Sequence, residues 1–344
     1  MIGCGKILII KPSSLGDIVH TLPAVEALHR SAPDAEICWI VNTEWAPLLE
    51  GIPHISSLIE FPRKNLRGPL KFKRARTWMN RHIKNLRPDL TLDFQGLLRS
   101  ALMAKKANGQ RTIGFRNARE GAHLFYDEKV EIPNWNQLHA IDRNLALARF
   151  CGASVAASQV TVTLPQGDYL PINGLAKQEK FILLHPFSRG DGKSLSKTEV
   201  AEFCHHFDPL PVVIVGSGVD WIEGSDPDLP ERAYTLLGQT SLPQLIDLIR
   251  RAAFTVSTDS GPMHLAAAIT DSLLSIHTWS DPMMVGPWRK QAFIWRDSEI
   301  WRVDEIEAAQ FPERRNDRKD FANRDRLMSE SDLIVLCSFV KQLV

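Results

Sequence analysis

Lys6-Ile7-Leu8-Ile9-Ile10-Lys11-Pro12-Ser13-Ser14-Leu15-Gly16-Asp17 is the stretch on which the fold turns. The apolar run between Lys6 and Lys11 is too short for a buried helix or a signal-peptide core, and suits a strand covered on both faces. A Ser/Gly turn follows, then a helical pattern over residues 17–30. Pro23 leaves two readings of that helix: it starts near Thr21 with Pro23 in its first turn, or it kinks there. Residues 36–41 and 90–94 predict further strands. Strands alternating with amphipathic stretches predict βαβ units on a parallel sheet.

A second series of the same kind begins after a polar, Pro/Gly-containing linker at residues 163–177. Residues 181–185, 212–215, 254–257 and 273–277 are short, apolar and followed by turn residues. Leu245, Leu248 and Ile249 share one face of a helix over 242–251. The 344 residues therefore divide into two α/β domains, 1–165 and 166–325, followed by a C-terminal segment, 326–344. Its helix, over 331–343, is expected to pack back across the first domain. No internal repeat or low-complexity segment stands out.

Composition narrows the class. With 44% hydrophobic and 24% charged residues the chain is neither disordered nor fibrous. Five cysteines at 4, 38, 151, 204 and 337 form no CxxC pair, which argues against a disulfide framework or zinc knuckle and for a reducing cytoplasm. No apolar run reaches the roughly 18 residues a bilayer span needs. The charge of +1 hides a division: 22 Lys and Arg face 14 Asp and Glu in residues 1–165, against 19 and 26 in 166–344. Such asymmetry predicts an anionic partner for the first half, uneven surface decoration being the plain alternative.

Three loops at strand ends are the places for chemistry, because ligands of doubly wound sheets bind beyond the carboxyl ends of the strands. In the first, Gly16 is expected to allow unusual dihedrals and Asp17 has two readings. It caps or charges the helix N-terminus, or it faces the substrate and removes a proton from an acceptor hydroxyl. The second is Ser257-Thr258-Asp259-Ser260-Gly261-Pro262-Met263-His264, before a helix over 265–269. Amides at such a helix start suit a phosphate or diphosphate, and Asp259 is expected to accept from neighbouring amides; an ordinary capped turn is the bland reading. The third, residues 185–194, ends in Gly-Lys-Ser but has Phe187 where a P-loop needs its first glycine. A flexible loop carrying Arg189 and Lys193 remains, either of which could neutralise a leaving phosphate. Asp226-Pro227-Asp228 mimics a metal-binding DxD, but it has no strand in front of it.

From Phe61 to Pro88 there is no acidic residue and there are ten basic ones, among them Arg63, Lys64 and Arg67. Leu66, Leu70, Phe72, Trp78, Met79, Ile83 and Leu86 are interleaved. A solvated helix face would mix both signs, so this run reads as a patch for phosphate-bearing partners.

Ser13-Ser14-Leu15-Gly16-Asp17-Ile18-Val19-His20-Thr21-Leu22-Pro23 resembles the first motif of the ADP-heptose:lipopolysaccharide heptosyltransferases, glycosyltransferase family 9. Asp93-Phe94-Gln95-Gly96-Leu97-Leu98-Arg99-Ser100 resembles their second motif, and Thr258–Leu265 their nucleotide loop. Ala118-Arg119-Glu120 with Leu124-Phe125-Tyr126 is similar too. The motifs run in family order over most of the chain, and the His-Thr-Leu-Pro and Gln-Gly-Leu versions are most similar to the branch that adds the first heptose.

The resemblance implies a GT-B fold, two doubly wound Rossmann-like domains facing a central cleft. It implies inverting, metal-independent transfer of L-glycero-D-manno-heptose from ADP-heptose to the 3-deoxy-octulosonic acid of a lipid A-linked acceptor. Acceptor binding falls to the first domain and the nucleotide sugar to the second. By the same carry-over Asp17 is the base and Lys193 contacts the donor diphosphate. Ser188, Asp259, Ser260, Gly261 and His264 line the donor, with Asp220 at its ribose and Thr240 near its adenine. Ser14, Gly16, Arg63, Lys64, Arg67, Gln95 and Arg119 hold the acceptor. Neither a cofactor nor nucleic acid is implied. The place of action would be the cytoplasmic face of the inner membrane, in peripheral contact with anionic lipid. Rival readings are a transferase of the same fold with another nucleotide sugar, a nonhydrolysing nucleotide-sugar epimerase, and a silent binder; the last sits poorly with retention of Asp17 and Lys193.

Overall fold

Strand β1 is Lys6–Ile10, and its four apolar residues are all buried. The computed structural model describes residues 5–66, 68, 70–154, 162–217, 228–306, 321 and 324–344. After β1 come a one-turn helix, α1 (Leu15–Val19), and α2 (Leu22–Ser31), with Pro23 in the first turn of α2. The chain thus takes the first reading of Pro23: the proline opens a new helix, where its missing N–H costs nothing. The unit continues through β2 (Glu36–Asn42), β3 (Ser57–Phe61), α3 (Lys71–His82), β4 (Leu90–Asp93), α4 (Leu98–Ala107), β5 (Arg111–Phe115), β6 (Glu128–Val130) and α5 (Ala140–Phe150). All six strands are parallel, in the order β3-β2-β1-β4-β5-β6.

The second unit, Gln166–Val344, follows the first, Met1–Pro165. It contains β7 (Ile182–His185), α6 (Lys197–Phe207), β8 (Val212–Ile214), β9 (Ala233–Thr235), α7 (Leu242–Arg251), β10 (Phe254–Thr258), α8 (Gly261–Ile269), β11 (Leu273–Ile276), α9 (Pro282–Val285), β12 (Phe293–Arg296), β13 (Glu299–Arg302) and α10 (Glu330–Lys341). Its sheet has the order β13-β12-β11-β10-β7-β8-β9, parallel except for β13. With β7, β8 and β9 as the first three strands, the order repeats that of the first unit. A repeat invisible in the sequence is thus present in the topology.

The C-terminal helix is built into the core of the second unit. Leu333, Leu336, Cys337 and Val340 of α10 belong to the core of the second unit, with Phe203, Cys204 and Phe207 of α6. Glu199 fastens the approach to it by accepting the amides of Leu327 and Met328, both at 2.8 Å. An apolar stripe at helical spacing thus meets the unit that precedes it in the chain.

In the basic segment, α3 is fixed by Trp78 and, just beyond its end, Ile83, both in the core under β1–β3. Leu70 and Phe72, at the start of α3, are exposed, Phe72 to 78%.

Candidate active site

Both sheets reverse their strand order between two central strands, β1 and β4 in the first unit, β7 and β10 in the second. The loops after those four strands and the first turns of the helices that follow carry most of the candidate residues, which is where doubly wound folds bind ligands.

In the first unit, residues 11–14 join β1 to α1. Asp17 lies in the first turn of α1, its side chain 48% exposed. One carboxylate oxygen accepts the Ser14 amide at 3.0 Å and the Ser14 hydroxyl at 2.7 Å. The other lies 3.9 Å from the ammonium of Lys11. Capping and outward presentation therefore coexist in one side chain: its position closes the turn, and half its surface still meets solvent. Lys11 is itself buried and donates to the carbonyl of Phe94 at 3.0 Å. Gln95, after β4, accepts the Ser13 amide on its side-chain oxygen at 3.2 Å.

Gly16 departs from expectation. It is buried inside α1 and is not among the glycines of positive φ, so it supplies close packing rather than an unusual turn. The left-handed glycine of this site is Gly96, at φ +66°. Arg63 and Lys64 are exposed in a 3-10 turn after β3, and Arg119 is exposed in the loop after β5, its amide donating to Gly96 at 2.9 Å. Arg67 lies outside the described residues.

In the second unit, α8 begins at Gly261, so Gly261 through His264 form its first turn rather than a loop before it. Ser260 is the N-cap, yet its hydroxyl is 3.2 Å from the Nδ1 of His185 and does not cap the helix. The first-turn amides, which no helix can satisfy internally, keep their anion-binding character. Lys193 donates to the carboxylate of Asp259 at 2.5 Å, and its ammonium lies 4.1 Å from the centre of the Trp279 ring. Asp259 therefore takes a lysine as partner, where neighbouring amides were expected.

Burial by itself would raise the Asp259 carboxyl, but the charges of His277 and Lys193 and hydrogen bonds from Lys193 and Ser280 hold it down at about 2. His277 is pushed down to about 4, chiefly by its own burial, and is neutral at pH 7. Lys193 is then the cation that keeps Asp259 ionised in neutral solution.

The loop between β7 and α6, expected to be flexible, is tethered. The Ser188 amide donates to the Ser194 hydroxyl at 2.9 Å, and the Ser188 hydroxyl to the Asp259 carbonyl at 2.6 Å. The Thr278 hydroxyl donates to the Gly192 carbonyl at 2.9 Å, and the Trp279 indole to the Asp191 carbonyl at 3.1 Å. Lys193 is thus held between tethered neighbours on both sides. Thr240 lies in the loop between β9 and α7, His264 is buried, and Asp220 lies outside the described residues, as do two of the three DxD positions. Among the described residues no group of three or more His, Cys, Asp or Glu is placed to hold a metal ion. Sequence reasoning missed Lys11, His185, His277 and Trp279. Each sits at or just beyond a strand end already read as a strand, which was the available signal.

Comparison with known proteins bears on the family and the fold. The model of glycosyltransferase family 9 (heptosyltransferase) matches residues 76–311. The lipopolysaccharide core heptosyltransferase OpsX of Haemophilus influenzae is 26% identical over 82% of this chain and 82% of its own. The lipopolysaccharide heptosyltransferase 1 of Escherichia coli K12 is 27% identical over 85% of this chain and 93% of its own. The E. coli heptosyltransferase WaaC with ADP-2-deoxy-2-fluoro heptose superimposes with a TM-score of 0.70 at 20% identity, covering 98% of this chain and all of that one. The architecture is GT-B, the enzyme is a glycosyltransferase, and the chain belongs to glycosyltransferase family 9, the heptosyltransferases.

Proposed function

We propose that this enzyme transfers heptose from ADP-heptose to the 3-deoxy-octulosonic acid of a lipid A-linked lipopolysaccharide core, with inversion and without a metal ion. The observation that carries it is the half-exposed Asp17 carboxylate at the β1 strand end, braced by Ser14 and Lys11. Support for the donor comes from the relatives, which are named lipopolysaccharide heptosyltransferases, and from the WaaC structure with an ADP-heptose analogue.

In the step we infer, Asp17 takes the proton of an acceptor hydroxyl. The oxygen attacks the anomeric carbon from the face opposite the diphosphate, and the bond from that carbon to the diphosphate oxygen breaks. ADP leaves with the electron pair, so one displacement inverts the centre. The leaving charge is met by the first-turn amides of α8 and the Lys193 ammonium, fixed donors that need no reorganisation. Arg63, Lys64, Arg67 and Arg119 supply the charge for the acceptor's phosphates and carboxylates, with Ser14, Gly16 and Gln95 lining the acceptor side. Ser188, Asp220, Thr240, Asp259, Ser260, Gly261 and His264 serve the donor. The exposed Phe72 and Leu70, beside Lys71 and Lys73, suit contact with the anionic membrane surface that carries such an acceptor.

Asp17→Asn tests the reading. ADP binding should stay within about twofold of wild type while transfer falls at least about 100-fold, the scale of a lost general base. Wild-type transfer should survive EDTA. Equal turnover in variant and wild type overturns the base, and activity abolished by EDTA and restored by Mg²⁺ or Mn²⁺ overturns the metal-independent step.

A further inference from the structure

Asp93 ends β4 and is completely buried, a costly place for a carboxylate unless its oxygens are satisfied. They are satisfied in two directions. Oδ1 accepts the amides of Gln95 at 2.9 Å and Gly96 at 3.1 Å, closing the chain into a tight turn as Asp side chains do. Oδ2 accepts the hydroxyl of Tyr126 at 2.7 Å, and Tyr126 is itself buried. The ring has its place because Gly114 pairs with Asp93 across the sheet; a Cβ at Gly114 would come within 2.3 Å of the Tyr126 ring.

The turn shaped in this way reaches three residues in two other segments. The Phe94 carbonyl accepts the Lys11 ammonium at 3.0 Å, the Gln95 side-chain oxygen accepts the Ser13 amide at 3.2 Å, and the Gly96 carbonyl accepts the Arg119 amide at 2.9 Å. Lys11 and Ser14, the neighbour of Ser13, are the groups that brace Asp17. A line of contacts therefore runs from a buried acid to the exposed one.

We propose that the Asp93–Tyr126 pair is the positioning device of the acceptor side: it sets the 94–97 turn, which holds Lys11 and Ser13 and through them aims the Asp17 carboxylate. The inference rests on Asp17 being the base. Asp93 and Tyr126 are both buried, so the signature belongs in turnover rather than in binding. Tyr126→Phe removes one hydroxyl and keeps the ring; Gln95→Leu cuts the same line at its partly exposed end without entering the core.

The experiment measures kcat and both KM values for Tyr126→Phe, Gln95→Leu and the double variant, with ADP-heptose and a lipid A-linked acceptor. Each single variant should lose about tenfold in kcat, the scale of one buried partner left without its hydrogen bond, with donor KM unchanged in both and acceptor KM unchanged in Tyr126→Phe. The double variant should lose little more than the worse single one, because both act through one line. Wild-type kcat in a folded Tyr126→Phe, or losses that multiply in the double variant, overturns the proposal. Should Tyr126→Phe fail to fold, Gln95→Leu with wild-type kcat overturns it alone. Asp17→Asn in the same assay separates the two readings: an inactive Asp17→Asn beside an unimpaired Tyr126→Phe removes only the positioning role, whereas a fully active Asp17→Asn removes the base beneath it.

Discussion

Lys193 and Asp259 show how a motif residue acquires meaning only from its partner. Both were legible as candidates because they follow apolar runs at strand ends. That they meet at 2.5 Å was not, since 66 positions separate them and only the adjacency of β7 and β10 brings them together. The same holds for two histidines beside them. Burial pushes His185 down to about 4; His277 reaches the same value, burial again leading, with Asp259 opposing and Lys193, His264 and Arg296 assisting. An unfolded chain protonates these rings near the ordinary 6.5, the native one only near 4. Between those values the unfolded state binds more protons, so stability must fall as pH drops from about 6.5 towards 4, at up to about 1.4 kcal/mol per pH unit for each ring. Asp259, held at about 2, adds its own loss only below about pH 4. Denaturant unfolding at pH 7, 6, 5 and 4.5 should show this slope, and His185→Asn should remove about one proton's worth of it. An unaltered slope in that variant would show that His185 titrates normally in the native state.

Elements were readable in proportion to how completely they are buried. Strands β1, β2, β4, β7, β8, β10 and β11 are apolar runs because helices cover both faces of a central parallel strand, and each lies within about a residue of its expected place. Edge elements such as β3, β6, β9 and β13 carry polar residues on an open side, so no apolar run announces them. Helix α10 was visible as a helix, but its destination was not, because an apolar stripe does not name the surface it covers. Leu336 is fully buried against the core that includes α6. Truncating it removes a side chain from a packed interior and should cost about 2–5 kcal/mol. If α10 is part of the second unit, Leu336→Ala should lower the unfolding midpoint and make the amides of α6 exchange faster while those of β1 and β2 stay protected. Loss of protection in β1 and β2 with α6 unchanged would assign the helix to the first unit instead.

On the scale of the whole molecule, two units whose sheets share an order of six parallel strands carry opposite charge, +8 in residues 1–165 and −7 in 166–344. Under the proposed function each unit holds its ligand at its strand-order reversal, and the division of charge distinguishes what the two would hold. On that reading the nucleotide meets localised donors such as helix amides and one lysine, which a net negative unit tolerates. A phosphorylated, carboxylate-bearing acceptor on an anionic surface needs a broad positive field, which the first unit has. Arg63 and Lys64 are exposed, and exposed pairs contribute little singly, so the field and not any one contact must carry the effect. Replacing Arg63, Lys64 and Arg67 together by Glu should raise the acceptor KM at least about tenfold at low salt, and much less at 0.5 M salt, where screening already weakens the wild-type contact. Donor KM should be unchanged at both salt concentrations, and binding to anionic vesicles should weaken in parallel with acceptor binding. If these charges only solubilise a turn, the folded triple variant will keep the wild-type acceptor KM at low salt, and the acceptor must then be held elsewhere on the unit.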